Sequence, residues 1–321
     1  MILKDKYRQL CLTEPSIPIF SRDWWLDAVA GADHWNVALV EQGDRIDAAL
    51  PYVIIKYQGF ILLAHPPLTQ TLGPWLRESD AKYTKRLSQE KDLLEALIAG
   101  LPNFHYFSQN WHHARTNWLP FYWQGFSQTT RYTYRLLDIS DEHLLWNGLQ
   151  ANIRTDIRKA RDRFRLTIRT GVDIDDFLSL NLQVFQRQRK SLPYSKDLVR
   201  RLDRACHERN ARRIFIAEDE AGRYHAGVYL IWDQNSAYYL MGGGDPALRN
   251  SGATSLCMWE AIRFAATVTK SFDFEGSMIE PVERFFRAFG AVQTPYFSVS
   301  KTPSRLLRVH RCIRSFLQKV R

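Results

Sequence analysis

The sequence predicts a mixed α/β protein built from two tandem copies of one domain, each with a mixed, largely antiparallel sheet, with a cleft between them for a ligand. Three observations carry this expectation. Two stretches about 177 residues apart spell the same three-stranded antiparallel meander. Each meander is followed by a helical pattern and a short strand, and each copy closes with an aromatic pair, a glycine-containing turn and one more strand. Finally, 321 residues exceed what a single hydrophobic core usually organises, so two domains are expected.

In the first copy, Val37-Ala38-Leu39-Val40-Glu41 reads as a strand that turns at Gln42-Gly43-Asp44. The chain returns through Ala48-Ala49-Leu50 and Tyr52-Val53-Ile54-Ile55, then continues as Gly59-Phe60-Ile61-Leu62-Leu63. The second copy repeats this with Ile214-Phe215-Ile216-Ala217-Glu218, a turn at Gly222, Ala226 to Trp232, and Ala237 to Met241. Helices are expected at Lys91 to Ala99 and Thr254 to Thr267, and short strands at Phe104 to Asn110 and Phe272 to Glu275. The closing elements are Phe121-Tyr122, Gly125 and Tyr132 in one copy, and Phe285-Phe286, Gly290 and Tyr296 in the other. The expected organisation is residues 1–137 as an N-terminal copy without a donor site, 138–300 as a C-terminal copy with one, and 301–321 as a terminal helix.

No apolar run reaches the roughly 20 residues that a membrane span needs. The start, Met1 to Lys6, lacks the basic-then-apolar layout of a secretory signal, so a cytoplasmic location is expected. Cys11, Cys206, Cys257 and Cys312 have neither metal-ligand nor disulfide spacing and read as reduced thiols. His65, His105, His112 and His113 show no ligand spacing and read as structural, so no metal is expected.

The net charge of +10 is local rather than diffuse. Residues 1–137 carry 14 basic and 13 acidic groups, residues 151–213 carry 17 and 8, and residues 301–321 carry seven basic groups and no acid. A helix is expected from an N-cap at Ser140, with Leu145, Leu149, Ile153, Ile157, Ala160 and Phe164 on its buried stripe. Arg154, Arg158, Arg161 and Arg165, with Lys159 nearby, run beside that stripe. They are either a solvated face or a cationic wall for phosphates of a donor or a lipid-linked acceptor. In the tail, Leu306, Val309, Ile313 and Val320 share a helical face flanked by arginines. Such a helix docks on its own protein, lies on an anionic membrane surface or grips RNA.

The copies differ where the meander meets the helix. The second has Gly242-Gly243-Gly244-Asp245-Pro246 and then Arg249-Asn250-Ser251-Gly252-Ala253-Thr254, while the first has a proline-containing stretch from His65 to Pro74. Small residues entering a helix N-terminus leave N–H groups aimed outward at the positive end of the dipole, a place for an anion. Arg249-x-x-Gly252-x-Thr254 resembles the pyrophosphate loop of the GNAT acyltransferases, with Thr254 where Gly or Ala is usual. The stretch from Tyr239 through Gly242-x-x-Asp245-Pro246, Trp259-Glu260-Ala261-Ile262, Phe272 to Gly276 and Phe285-Phe286-x-x-Phe289-Gly290 resembles the Fem-type, tandem-GNAT branch. The resemblance spans roughly residues 145–300.

That resemblance implies two tandem GNAT-like domains and acyl transfer to an amine, from acyl-CoA or, in Fem-type enzymes, from aminoacyl-tRNA. It implies a bacterial cell-envelope setting, with an amine-bearing acceptor that is lipid-linked or a nucleotide-linked sugar; the basic tail, residues 301–321, could add peripheral contact with the inner face of the membrane. Residues 249–254 are the expected donor loop, with oxyanion donors near Tyr239 to Gly242. Such chemistry needs one base, a set of fixed oxyanion donors and reactants held in line. Strand alternation would put Asp273 and Glu275 on one face, where paired carboxylates raise one pKa, so Glu275 is the expected base; simple pairing with arginines is the alternative. Tyr194 is an expected acceptor-site residue. The rival reading is a binding module that has lost catalysis and holds RNA or a membrane-bound partner with its basic helices. No long heptad arm of the kind found in tRNA-dependent Fem enzymes is present, which favours acyl-CoA without excluding tRNA.

Overall fold

The computed structural model describes residues 3–276 and 278–308. Along the chain come α1 (Leu3–Thr13), α2 (Asp23–Ala30), β1 (Trp35–Gln42), β2 (Arg45–Tyr57), β3 (Phe60–Leu63), β4 (Trp75–Leu76), α3 (Tyr83–Ala99), β5 (Tyr106–Asn110), α4 (Leu119–Trp123) and β6 (Ser127–Leu136). Then follow α5 (Glu142–Gly148), α6 (Ala151–Arg158), β7 (Thr167–Arg169), α7 (Ile174–Arg187), α8 (Lys196–His207), β8 (Arg212–Glu218), β9 (Tyr224–Trp232), β10 (Ala237–Gly244), α9 (Ala253–Ala265), β11 (Phe272–Asp273), α10 (Glu280–Arg287) and β12 (Val292–Lys301). Among the described residues no helix is long and apolar enough to cross a membrane.

The two meanders form as expected. β1 pairs with β2 and β2 with β3, all antiparallel; β8, β9 and β10 do the same in the second copy. In both, the third strand then pairs in parallel with the short strand that follows the helix: β3 with β5, and β10 with β11. After each short strand a helix ends at a left-handed glycine, Gly125 at φ 76° and Gly290 at φ 80°, before the closing strand.

The chain divides into two compact units, one taking in Met1–Arg131 with Pro295–Arg321 and the other Tyr132–Thr294. This differs from the expected boundaries after 137 and 300, and the cause is an exchange of closing strands. Residues Ser298 to Lys301 of β12 pair with β5 in the first unit, and Arg135 and Leu136 of β6 pair with β11 in the second. The helix expected over 301–321 begins later than that, because Lys301 ends β12 and helical geometry starts at Arg305. Residues 309–321, with Cys312 and most of the expected basic face, lie outside the described residues.

In the first unit, helices cover both faces of the sheet. Tyr7, Leu10 and Leu26 meet Trp35, Val37 and Val53 on one side. Leu94, Leu97, Phe121 and Val299 meet Leu50, Leu63 and Phe107 on the other. With both faces buried, β2 is buried continuously from Ile46 to Val53 rather than alternating.

In the second unit, α9 is buried on nearly every side, with Leu256, Met258, Trp259 and Ile262 against Val228, Phe272 and Phe274. α7 covers the opposite face: a Cβ on Gly227 of β9 would stand 3.1 Å from the Phe177 ring, so glycine lets helix and strand approach. The single helix expected from Ser140 is two. Asp141, not Ser140, is the cap, its carboxylate accepting from the N–H groups of His143 and Leu144. The helix breaks at Leu149 because the Gln150 N–H bonds to the Ala288 carbonyl, a tertiary contact that outcompetes helical continuation. α6 then ends in one π turn, Lys159–Arg163.

Candidate active site

β10 and β11 are paired only through Ala237 with Phe272 and Tyr238 with Asp273. Past Tyr238 the ladder with β11 ends while β10 continues to Gly244, with a bulge between Tyr239 and Met241. A bulge re-aims backbone groups, and such interruptions recur beside active sites. The floor here is aromatic: Phe274 lies 5.3 Å from Phe286, and Tyr239 lies 5.7 Å from Phe286 in edge-on contact.

Asp273 and Glu275 sit where the strands part. The expected alternation over 272–275 is not kept, because β11 ends at Asp273 and Glu275 takes a left-handed φ of 63°. Gly276 follows at φ 61°, and a Cβ there would overlap the Tyr132 carbonyl, so the chain is pressed against β6. The Glu275 N–H turns back to donate to the Asp273 carboxylate at 2.8 Å. Asp273 also accepts from the Thr133 hydroxyl, and its second oxygen is 3.8 Å from Arg135 Nε.

Burial pushes the Asp273 carboxyl up to about 6 against the lowering effect of these donors. Burial, and then the charge of Asp273, drive Glu275 well above the ordinary carboxylate range. Tyr238, fully buried nearby, is likewise held protonated by burial and by Asp233, Asp273 and Glu275.

Further along β10, three expected residues gather around one that sequence reasoning missed. Asn181 of α7, 2% exposed, donates through Nδ2 to the Gly242 carbonyl at 2.6 Å and accepts from the Tyr194 hydroxyl at 2.9 Å. A Cβ on Gly242 would overlap the Tyr239 hydroxyl, and one on Gly243 would come within 2.8 Å of the Asn181 backbone. Burial pushes Tyr194 up to about 12, and burial and then Tyr194 raise Tyr239, so both hydroxyls keep their protons. The overlooked signal for Asn181 is its place at i+7 in the buried series Ile174, Phe177, Leu178.

The loop 249–254 forms a short 3₁₀ turn, Arg249–Ser251, followed by Gly252 in the left-handed region at φ 80° as the N-cap of α9. A Cβ on Gly252 would overlap the Asp156 carbonyl of α6, so only glycine satisfies both the conformation and the space. α9 has no side-chain cap. Arg249, Asn250 and Thr254 are exposed, whereas Ser251, Gly252 and Ala253 are buried.

The basic stripe is mostly spent on the protein itself. Arg154 donates to the Trp146, Asn147 and Leu149 carbonyls at the end of α5. Lys159 pairs with Asp156 at 2.7 Å, Arg161 with Glu260, and Arg165 with Glu220. Arg158 has no carboxylate within 4 Å among the described residues and stacks 5.8 Å over Trp146. Two of the four histidines expected to be structural serve backbone donors: His65 accepts from Asn110 and His105 from Ile61. Burial lowers His65 to about 4 and keeps it neutral.

Residues 148–280 match the family described as "Acetyltransferase (GNAT) domain". No curated protein matches the chain by sequence. Several solved structures share its fold. "FemX" aligns over 92% of this chain and 96% of its own, with TM-score 0.65 and 12% identity. A tandem GNAT protein from the clavulanic acid biosynthesis pathway aligns over 94% and 96%, with TM-score 0.52 and 12% identity. The C-terminal domain of a proposed lysylphosphatidylglycerol synthetase from Agrobacterium fabrum aligns over 92% and 91%, with TM-score 0.54 and 16% identity. Residues 148–280 thus match a GNAT acetyltransferase domain, and nearly the whole chain shares its fold with FemX and with a tandem GNAT protein.

Proposed function

We propose that the second unit transfers an acyl or aminoacyl group to an amine, with the donor held where β10 leaves β11. The observation that supports this best is the meeting, in one place, of a parted strand pair, a bulged strand ending in glycines and a buried carboxylate pair. In this reading the amine nitrogen attacks the donor carbonyl, its proton passes to Glu275, and the donor's thiol or ribose oxygen leaves as the tetrahedral centre collapses. Backbone N–H groups of Tyr239 to Gly242 face the developing oxyanion. Residues 249–254 and the first turn of α9 suit a pyrophosphate, with Gly252 letting α6 approach and Arg158 as a nearby cation without a carboxylate within 4 Å among the described residues. Tyr194 and Gly242 line the acceptor side.

The cell-envelope acceptor, lipid-linked or nucleotide-linked, follows from the Fem-type resemblance. So does aminoacyl-tRNA as alternative donor, while the cytoplasmic setting and membrane contact by the tail rest on the sequence patterns at the two ends of the chain. A binding module without catalysis would have no need of two adjacent carboxyls with raised pKa at a strand split, which favours the enzyme.

Thermal shift with acetyl-CoA, CoA and alanyl-tRNA tests the donor. A ligand at a hundredfold excess over its Kd stabilises by about 2.7 kcal/mol, so the true donor raises the unfolding midpoint measurably. Absence of a shift with all three removes the donor-site reading.

A further inference from the structure

We propose that Asn181 is a positioning residue for acyl transfer, its carboxamide clamping the Gly242 peptide of β10 and the Tyr194 hydroxyl together. The proposal builds on the acyl-transfer reading. Asn181 is buried, and its two polar atoms each have one partner: Nδ2 donates to the Gly242 carbonyl and Oδ1 accepts from Tyr194. A carbonyl needs a donor and the amide has only one such end, so this orientation is the one the partners dictate.

A strand residue sends its N–H and C=O from the same edge, so a bond to the Gly242 carbonyl holds the 242–243 peptide directly and, as long as Gly242 keeps its strand geometry, helps to hold its N–H on that edge. Gly242 follows the bulge on a stretch of β10 that stays paired with β9 but has no β11 partner, so one edge there is left without a neighbouring strand. Glycine at 242 and 243 makes that peptide unusually free, and the same absence of side chains lets α7 reach it. The second half of the clamp acts on the connection between α7 and α8. That connection contains Arg189 in a left-handed conformation at φ 55°, and Tyr194 ties its far end to Asn181. One side chain thus couples the oxyanion donor to the segment that walls the acceptor side.

Two variants separate the halves. Tyr194→Phe removes the tie to the connection and keeps the Gly242 bond. Asn181→Asp keeps an acceptor for Tyr194 but offers the Gly242 carbonyl no donor. Trypsin sites at Arg187, Arg189 and Lys190 are exposed on the connection. In Tyr194→Phe, cleavage there should rise about tenfold at an unchanged unfolding midpoint, because proteolysis follows the open population. In Asn181→Asp, kcat with whichever of acetyl-CoA or alanyl-tRNA the wild type uses should fall on the order of 10²-fold with donor KM unchanged, as for a lost oxyanion donor. Wild-type cleavage rates in Tyr194→Phe, or an Asn181→Asp effect confined to KM, overturn the clamp. If the wild type turns over neither donor, the acyl-transfer reading fails, while the protease result still decides the tie.

Discussion

A carboxyl group that loses water on folding and gains a charged neighbour resists ionisation, and Glu275 has both burdens. A base must be ionised to work, so an elevated pKa makes Glu275 stronger but scarcer as pH falls. Turnover should therefore drop with decreasing pH through a value well above that of an ordinary carboxylate. Glu275→Gln should abolish that limb of the pH–rate profile and lower kcat by ~10²-fold or more. An unchanged limb in the variant, measured with the donor that binds, would assign the pH dependence elsewhere. The sequence already pairs Asp273 with Glu275, but by strand alternation. In the structure they meet through a left-handed turn and a backbone bond to Asp273, a geometry no period-2 pattern describes. Asn181 was less legible still: a single polar residue in a buried stripe shows that something must satisfy it, not what.

Helices are most readable where apolar spacing is long and uninterrupted, and α9 was expected within two residues of its observed ends. The helix expected from Ser140 behaves differently. Its apolar residues hold their spacing across Leu149, yet Ala288 claims the Gln150 N–H and the helix parts. The parting sets the fate of the arginines beside it. Arg154, expected on a phosphate wall, closes off carbonyls at the α5 terminus, whereas Arg158 stays without an acidic partner two residues past the Asp156 carbonyl that touches Gly252. The two should therefore respond differently to mutation. Arg158→Ala should weaken donor binding several-fold, less so at high salt, and leave the unfolding midpoint in place. Arg154→Ala should lower the midpoint through the lost bonds to the Asn147 and Leu149 carbonyls, at about 1 kcal/mol for each, and leave donor affinity unchanged. Titration of both variants at two salt concentrations, with thermal melts, checks the contrast; the reverse pattern would restore Arg154 to the donor site.

At the scale of the molecule, the duplication was legible because five elements recur in one order. The exchange of closing strands was not, because β6 and β12 carry interchangeable patterns and either could satisfy either sheet. Which sheet each joins is fixed by contacts distant in sequence. Phe274 N–H bonds to the Tyr134 carbonyl, Thr133 serves Asp273, and Tyr134 Oη reaches Glu283 and Gln293, all within the second unit. Trp111 N–H bonds to the Phe297 carbonyl, and Val299 is fully buried against the first unit's core. A fragment of residues 132–294 should thus contain everything the second unit needs, whereas one of residues 138–300 lacks Tyr134 and Leu136. Deleting a buried large aromatic alone costs about 3–5 kcal/mol, comparable to the stability of a small domain. The 132–294 fragment should melt cooperatively as a monomer and keep the donor-induced shift of the full chain, while 138–300, of equal length, should aggregate or lack a transition. Circular dichroism melting with size-exclusion chromatography separates these outcomes, and equal behaviour of the two fragments would mean that the second unit does not depend on Tyr134 and Leu136 of β6.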